Sequence, residues 1–176
     1  MAEAVLTEGR GRLFIQRIFA ASRDRVWKAW TDPDLIAQWW GPAGFTAPVI
    51  EVDLRKGGRY LFSMRSPVGQ EFWSTGVYRE IVPMERLVYT DSFADAEGNV
   101  VPASTYGMSE DWPDELTVTV TFEDHGDGTK MTLRQAGAPA GEPLEQAEAG
   151  WNESLDKLAG VLGDGSAAPV GQQKEG

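Results

Sequence analysis

Leu116-Thr117-Val118-Thr119-Val120-Thr121-Phe122 is the stretch that decides the fold, because apolar side chains alternate strictly with threonines along it. A period of two places successive side chains on opposite faces of a β-strand, and threonine is favoured in strands. The turn Asp124-His125-Gly126-Asp127-Gly128 follows, and Met131 and Leu133 then resume the alternation. The pattern predicts an antiparallel hairpin with one apolar face.

Upstream of this hairpin, the period of two continues back to Phe45, interrupted by short groups of turn residues. The pattern predicts an antiparallel meander. Residues 94–115 have weak β character and are longer than usual connections, so we expect a functional flap or a partly ordered cover there. The strands and turns expected before this segment are Ile50 to Leu54, the turn Lys56 to Arg59, Tyr60 to Met64, Phe72 to Val82, the turn Pro83 to Glu85, and Arg86 to Phe93.

Downstream of the hairpin, the spacing of apolar residues becomes helical. Pro143 is expected to open a helix that buries one face only. Its apolar stripe follows steps of three and four residues and consists of Leu144, Ala147, Trp151, Leu155, Leu158 and Leu162.

The N-terminal part of the chain predicts one strand and two short helices. Arg12 to Phe19 is a β-type run that is apolar on both faces, as expected of a strand covered from two sides. Ser22 is expected to cap the first helix and Asp32-Pro33 to begin the second. Gly41-Pro42 then ends it, since glycine permits a left-handed exit and proline cannot continue the helix.

These elements predict an α+β fold in which a curved antiparallel sheet of six or seven strands wraps around the long C-terminal helix. Two short helices follow strand one. We expect a single domain over residues 12–162, because no linker or repeat interrupts it. Residues 1–11 and 163–176 are expected to be flexible, since they carry too little apolar surface to offset the entropy of ordering.

The composition excludes several functional classes. Of the 176 residues, 41% are apolar and 24% charged, which suffices for one soluble domain. No run reaches the length of a membrane helix and the N-terminus does not resemble a signal peptide, so we expect a cytoplasmic protein without membrane insertion. With no cysteine and a single histidine, thiolate and histidine-rich metal sites are excluded. We therefore expect no metal and no cofactor.

The negative charge is concentrated in two segments. Residues 91–115 contain seven acids and no Lys or Arg, and residues 142–162 contain five acids and one lysine, so they carry −7 and −4 of the net −11. The rest of the chain is balanced, which leaves no broad basic surface for phosphates. We therefore expect no nucleic-acid partner.

The aromatic content indicates a cavity. Seven Trp, seven Phe and four Tyr supply more bulk than the core of a small two-layer domain needs. If a curved sheet does not close fully on one helix, large rings line the remaining hollow and a few polar groups orient a guest. The alternative is that the same rings simply fill the core.

Several motifs resemble those of the bacterial Hsp90-ATPase-activator-homologue family, which belongs to the START and Bet v 1-like helix-grip superfamily. The resemblance extends from about Leu13 to Leu162. A branch of the family also shares Gly98 to Pro102, Tyr106 to Met108 and Trp112-Pro113. The main motifs are Val26 to Pro33, Gln38 to Pro42 with Gly44-Phe45, Gly57 to Tyr60, Gly76 to Tyr78, and Gly150-Trp151 with Leu155 and Leu158.

The resemblance implies a helix-grip fold with a deep apolar pocket between the curved sheet and the last helix. Members of the superfamily use this pocket for lipids, hormones or polyketide intermediates, and only some branches perform chemistry. The eukaryotic co-chaperone that names the family has a separate N-terminal Hsp90-binding domain. We expect no room for it before Arg12, which argues against chaperone activation.

Binding of a small hydrophobic or aromatic ligand is the first functional hypothesis. An acidic 94–115 segment at the mouth disfavours anions, so neutral or cationic ligands are expected. The expected contact residues are Trp40, Phe45, Tyr60, Phe62, Trp73, Tyr78, Tyr89, Trp112, Trp151 and Leu155.

An enzyme of the cyclase, dehydratase or hydrolase type is a second hypothesis, although no catalytic constellation is recognisable. Within the sheet, an acid or base would have to come from a tyrosine or from Asp91, Glu51, Glu80 or Arg17. His125 lies in a hairpin turn, where a solvated histidine is expected. Asp111 and Asp114 beside Trp112 are expected to be exposed loop acids rather than metal ligands.

A protein-interaction or co-chaperone-like domain, such as a homodimer, is the third hypothesis. It would use an exposed part of the Trp39-Trp40 helix or the strand edges as its contact surface.

Overall fold

The computed structural model describes residues 10–108, 111–139 and 141–163. It contains an antiparallel seven-stranded sheet and three α-helices, which confirms the expected α+β class. Residues 1–9 and 164–176, most of the expected flexible termini, lie outside the described part. The elements in chain order are β1 (Arg10–Phe19), α1 (Arg23–Thr31), α2 (Pro33–Trp39), β2 (Ile50–Val52), β3 (Arg59–Arg65), β4 (Glu71–Val82), β5 (Arg86–Ala94), a 3-10 turn (Ala103–Tyr106), β6 (Leu116–His125), β7 (Gly128–Pro139) and α3 (Glu142–Gly163).

The strand order is β1-β7-β6-β5-β4-β3-β2, so β2 to β7 form a meander and β1 closes the far edge beside β7. Irregular register between Tyr78 and Glu80 in β4 marks a bulge, which bends a sheet. The helix α3 packs against the concave face, as the apolar stripe predicts, and its Leu155, Leu158 and Leu162 are buried. The expected hairpin is confirmed, with His125 paired to Gly128 at its end.

The expectation that strand one is covered from two sides is wrong. Leu13, Ile15, Arg17 and Phe19 are buried, whereas Phe14 is 52% exposed between them. The described helices cover one face of the sheet, so outward side chains of β1 meet solvent. Phe14 is covered only in part by Arg134, whose guanidinium carbon lies 5.1 Å from the ring centroid.

The predicted boundaries of the two short helices are confirmed in part. The Asp32 carboxylate accepts a hydrogen bond from the Asp34 amide and Pro33 begins α2, as expected. Gly41 follows the helix with φ +100°, the left-handed conformation that glycine adopts readily. Ser22 occupies the N-cap position of α1, but its hydroxyl donates to the Asp24 carboxylate and does not cap the helix.

Two further expectations need correction. Leu54 lies beyond the end of β2 and is 40% exposed, because the chain already turns there towards β3. The helix α3 begins at Glu142, one residue before Pro143. The segment after β5 contains a turn bridged by Ala94 and Val100 and the short 3-10 turn.

Candidate functional site: a cavity at one end of the concave face

A cavity of about 280 Å³ lies between the concave face of the sheet and the first half of α3, and it opens to solvent. Residues of the α2–β2 connection and of the segment after β5 complete its walls. Its lining residues are mostly apolar and consist of Trp40, Gly41, Pro42, Met64, Ser74, Asp91, Phe93, Met108, Trp112, Gln135, Pro143, Gln146, Ala147, Gly150, Trp151 and Ser154.

The concave face has a filled end and an open end. At the filled end, Tyr60, Phe62, Tyr78 and Tyr89 pack as a cluster of rings, with centroid distances from 4.4 Å for Tyr60–Phe62 to 6.2 Å for Tyr78–Tyr89. Only a void of about 10 Å³ remains among these rings. The aromatic side chains therefore plug the sheet at this end.

The open end begins two to four residues farther along the strands, at side chains that point to the same concave face as the ring cluster. On β3 the inward series Tyr60, Phe62 continues to Met64, and on β5 the inward Tyr89 is followed by Asp91 and Phe93. Successive inward positions lie about 7 Å apart along a strand. The cavity thus results from the position along each strand at which bulky rings give way to smaller or polar side chains.

Helix α3 is divided in the same way, because its first half lines the cavity and its second half covers the filled end. Gln146, Ala147, Gly150, Trp151 and Ser154 line the cavity at helical spacing. One turn later, the same face continues as a fully buried leucine stripe over the filled end. Gly150 leaves the cavity wall without a side chain at its centre.

Tyr60 joins the filled end to the cavity through its hydroxyl. This hydroxyl lies 2.8 Å from Asp91 Oδ1 and 2.9 Å from the Thr90 carbonyl oxygen, either of which accepts its hydrogen. The ring packs over Gly76, where an added Cβ would lie 2.7 Å from Tyr60 Cε2 and 1.9 Å from the Thr90 carbonyl oxygen. Glycine is therefore required at position 76.

Burial sets the ionisation of this group of side chains. Burial raises the pKa of Asp91 to about 6, and the hydrogen bond from Tyr60 opposes part of that rise. Burial, followed by the charge of Asp91, raises the pKa of both Tyr60 and Tyr89 well above its ordinary value. At neutral pH, Asp91 is thus mostly a carboxylate and the tyrosines are neutral.

Two pairs of aromatic rings line the cavity. Trp40 and Trp151 meet edge to face at a centroid distance of 5.6 Å, and Phe93 lies 6.2 Å from Trp112. Trp151 Nε1 donates to Gln135 Oε1 at 2.9 Å, which fixes the indole against β7.

Hydrogen bonds hold the two walls that lie outside regular helices and strands, namely the α2–β2 connection and the segment after β5. Lys157 Nζ lies 3.5, 3.2 and 3.1 Å from the carbonyl oxygens of Trp40, Pro42 and Phe45, and it thereby ties the α2–β2 connection to α3. The Tyr106 hydroxyl donates to the Ala94 carbonyl oxygen at 2.5 Å and ties the 3-10 turn to β5. Both walls are therefore anchored to regular elements.

The ten residues expected to contact a ligand fall into three groups. Trp40, Trp112 and Trp151 line the cavity. Phe45 packs on Phe72, Trp73 lies on β4 without lining the cavity, and Leu155 belongs to the buried stripe of α3. The remaining four form the ring cluster of the filled end and are Tyr60, Phe62, Tyr78 and Tyr89.

Of the residues considered for acid–base chemistry, Asp91 lines the cavity. Glu51 and Glu80 are exposed, and Glu80 pairs with Arg86 at 2.9 Å. Arg17 is buried and donates from Nη2 to Asp156 and Asn152 of α3. The arrangement presents the Asp91 carboxylate, hydrogen-bonded to the Tyr60 hydroxyl, to the cavity, which suits binding of a polar or charged group.

The other candidates lie away from the cavity centre. His125 is exposed at the end of β6, and Asp111 and Asp114 are exposed. Among the described residues, no group of three or more His, Asp or Glu side chains is arranged to hold a metal ion. None of the described helices has the length and hydropathy needed to cross a membrane.

The tryptophan surface considered for protein interaction is not exposed. Trp39 is fully buried, and its Nε1 donates to the Ala29 carbonyl oxygen at 2.8 Å. Trp40 is half-buried against Phe62 and Trp151. The two adjacent indoles pack inward because α2 is pressed between the sheet and α3.

Sequence reasoning did not place Met64, Ser74, Phe93, Met108 and Gln135 in the site. A signal for part of this set is present in the sequence. Ser74, Asp91 and Gln135 are polar residues at inward positions of strands whose other inward residues are mainly apolar. Polar side chains at inward positions mark a place where the core ends.

The chain is similar to solved bacterial proteins along most of its length. It is 32% identical to a protein from Chromobacterium violaceum, with a TM-score of 0.72 over 86% of this chain and 96% of that chain. It is 29% identical to a protein from Mycobacterium smegmatis, with a TM-score of 0.68 over 86% and 87% of the two chains.

A more distant structure shares the fold alone. It is the AHSA1 protein from Silicibacter pomeroyi, which is 24% identical, with a TM-score of 0.70 over 86% of this chain and 97% of that chain. No curated protein matches the sequence. The model of the family described as activator of Hsp90 ATPase homolog 1-like protein matches residues 20–163. This match spans α1 to α3, including strands β2 to β7 and every described residue that lines the cavity, so the chain belongs to the activator of Hsp90 ATPase homologue 1-like family.

Proposed function

We propose that this protein binds a small, mostly apolar molecule of one or two rings in the cavity beneath α3. The observation that carries the proposal is the division of the concave face, where one end is packed with rings and the other leaves about 280 Å³ between aromatic walls. This volume is close to the lower end of the range for small-molecule sites, about 300–1,000 Å³.

The chemistry of the walls supports a ligand with one polar end. Trp40, Phe93, Trp112 and Trp151 offer apolar rings, while polar groups such as Asp91 lie on the strands at the floor. Such a distribution lets an apolar body leave water and a polar group accept or donate hydrogen bonds. Among the described residues, the lining contains no lysine or arginine, which favours neutral or cationic ligands.

Gly150 offers a direct test of the site. A Cβ at this position would lie 3.8 Å from Pro42 Cγ, so a side chain can start there without a clash and extend into the cavity. Glycine is also unfavourable within a helix, so the replacement does not weaken α3. The Gly150→Phe variant should therefore fold and have its cavity blocked.

The experiment is calorimetric titration with 2-phenylethanol, indole and 1-naphthalenemethanol at pH 7.5. We expect saturable 1:1 binding of at least one of them to the wild type and at least about a tenfold loss in Gly150→Phe. The matched control is Gly160→Phe on the same helix, where an added Cβ meets nothing within 4 Å and the cavity is remote. Its affinity should equal that of the wild type.

Two results would contradict the proposal. The first is an absence of saturable binding by all three compounds and by the amines 2-phenylethylamine and 1-naphthalenemethylamine. The second is equal binding by wild type and Gly150→Phe, which would place the ligand elsewhere. Melting curves of both variants confirm that each one is folded before titration.

A further inference from the structure

Among the described residues that line the cavity, a single one carries a charge. Of these sixteen residues, fifteen are apolar or neutral, and Asp91 alone is ionised at neutral pH. Its inward position on β5 places the residue between the ring cluster and Phe93, where it is half-buried. A charge in such a place is costly unless a partner compensates for it.

The described residues supply only part of that compensation. Asp91 Oδ1 accepts from the Tyr60 hydroxyl at 2.8 Å, whereas Oδ2 accepts no hydrogen bond from the described residues. The ion pairs found within the described part of the chain are elsewhere, and none involves Asp91. One oxygen of the carboxylate is therefore available to a ligand.

The walls around this carboxylate also favour a cation. Trp40, Trp151, Phe93 and Trp112 line the same cavity, and aromatic faces attract ammonium groups through their quadrupoles. Asp111 and Asp114 flank Trp112 in the sequence and add negative charge beside this wall. Both features disfavour anions.

We infer that the natural ligand of this cavity is an amine, with a protonated nitrogen that pairs with Asp91 and an apolar body held between the tryptophans. This inference rests on the proposed function, because it assigns a ligand class to the same cavity. The ammonium donates to the open oxygen of Asp91 in a charge-assisted hydrogen bond, while Tyr60 holds the other oxygen in place.

Pairs of compounds that differ in one polar group test the inference. The amines are 2-phenylethylamine and 1-naphthalenemethylamine, and their neutral partners are 2-phenylethanol and 1-naphthalenemethanol. Calorimetric affinities at pH 7.5 and constant ionic strength give an amine-to-alcohol ratio for each pair. We expect a ratio of about ten or more for the wild type in at least one pair.

Two variants distinguish direct pairing of the amine with Asp91 from a general effect of the protein's negative charge. Asp91→Asn keeps an acceptor for Tyr60 but removes the charge, and it should lower the amine-to-alcohol ratio to about one. Glu97→Gln makes the same change in net charge at an exposed turn residue outside the cavity lining. It should keep the ratio of the wild type.

Each outcome decides one of the two claims. Alcohols that bind as tightly as the amines overturn the amine inference and leave the proposed function standing. A ratio that falls equally in Asp91→Asn and Glu97→Gln overturns the direct pairing. If neither the alcohols nor the amines bind, the proposed function fails together with the inference.

Discussion

Asp91 shows how the surroundings of one inward-facing side chain change its ionisation. The residue lies two positions after Tyr89 on β5, on the face that is otherwise used for core packing. Its carboxylate is retained there with one hydrogen bond from Tyr60 and no ion pair within the described residues. A group held in this way costs stability when it is charged.

The pH dependence of stability should reveal this cost. Burial raises the pKa of Asp91 from 3.8 to about 6, so the folded state binds more protons than the unfolded state between these values. Stability therefore falls as pH rises through this window, and the cost is fully present above about pH 6. We expect Asp91→Asn to be about 1–2 kcal/mol more stable than wild type at pH 8.

Urea unfolding at several pH values measures this difference directly. The gain of Asp91→Asn should shrink as the pH falls from 7 towards 4, because the wild-type carboxyl becomes protonated and neutral as well. A gain that stays constant from pH 4 to pH 8 would contradict a buried, destabilised carboxylate at this position.

At the scale of elements, the cavity depends on how α3 meets the connection between α2 and β2. Gly41 turns the chain with a positive φ, and the connection then passes in front of α3. Lys157 donates towards three carbonyl oxygens of this connection, and burial lowers the pKa of its ammonium. The helix thus holds a cavity wall that has little regular structure of its own.

Removal of this ammonium should loosen the wall. Lys157→Met keeps the aliphatic stem but leaves the three carbonyl oxygens without their donor, and we expect a loss of about 1–2 kcal/mol in the free energy of unfolding. Amide hydrogen exchange should accelerate in residues 41–46 more than in β6. The control is Lys28→Met, at an exposed position of α1, which should change neither quantity appreciably.

The result that would contradict this role is specific. If Lys157→Met destabilises the protein while exchange in residues 41–46 matches that of the wild type, Lys157 supports α3 alone and does not hold the cavity wall.

At the scale of the whole molecule, the cavity is part of the main core. Its walls come from β3, β4, β5, β7, α3 and two connections, so residues from Trp40 to Ser154 meet around it. The ring cluster continues its inner wall with a void of about 10 Å³ among the rings, and the leucine stripe of α3 beside it is buried. Occupation of the cavity should therefore stabilise the complete domain.

This coupling predicts a uniform shift in unfolding. Saturation with 1-naphthalenemethanol at one hundred times its dissociation constant should stabilise the wild type by about 2.7 kcal/mol. Transitions followed by tryptophan fluorescence and by far-UV circular dichroism should move together to higher urea concentration. Gly150→Phe should show no shift at the same ligand concentration.

A shift seen only by fluorescence would contradict the coupling, because it would mean that the ligand stabilises a local region. An equal shift in Gly150→Phe would show that the compound binds outside the cavity. The two readouts therefore test the position of the site and its connection to the core separately.

The sequence by itself determined the strands, their meander and the long helix, because local patterns encode them. The alternation from Leu116 to Phe122 specifies a strand, and the stripe ending at Leu162 specifies a helix, each from residues close together in the chain. The same patterns identify which side chains share one face of an element. Trp151 belongs to the apolar stripe of α3, and in the structure it lines the cavity.

Tertiary structure alone decided which inward side chains fill the core and which surround the cavity. Tyr60 and Met64 share one face of β3 and Tyr89 and Asp91 share one face of β5, yet only the second member of each pair lines the cavity. Periodicity fixes the face of a strand but carries no information on where a distant helix and loop cover it. That depends on the path of α3 across the bent sheet, which arises from contacts between residues far apart in the sequence.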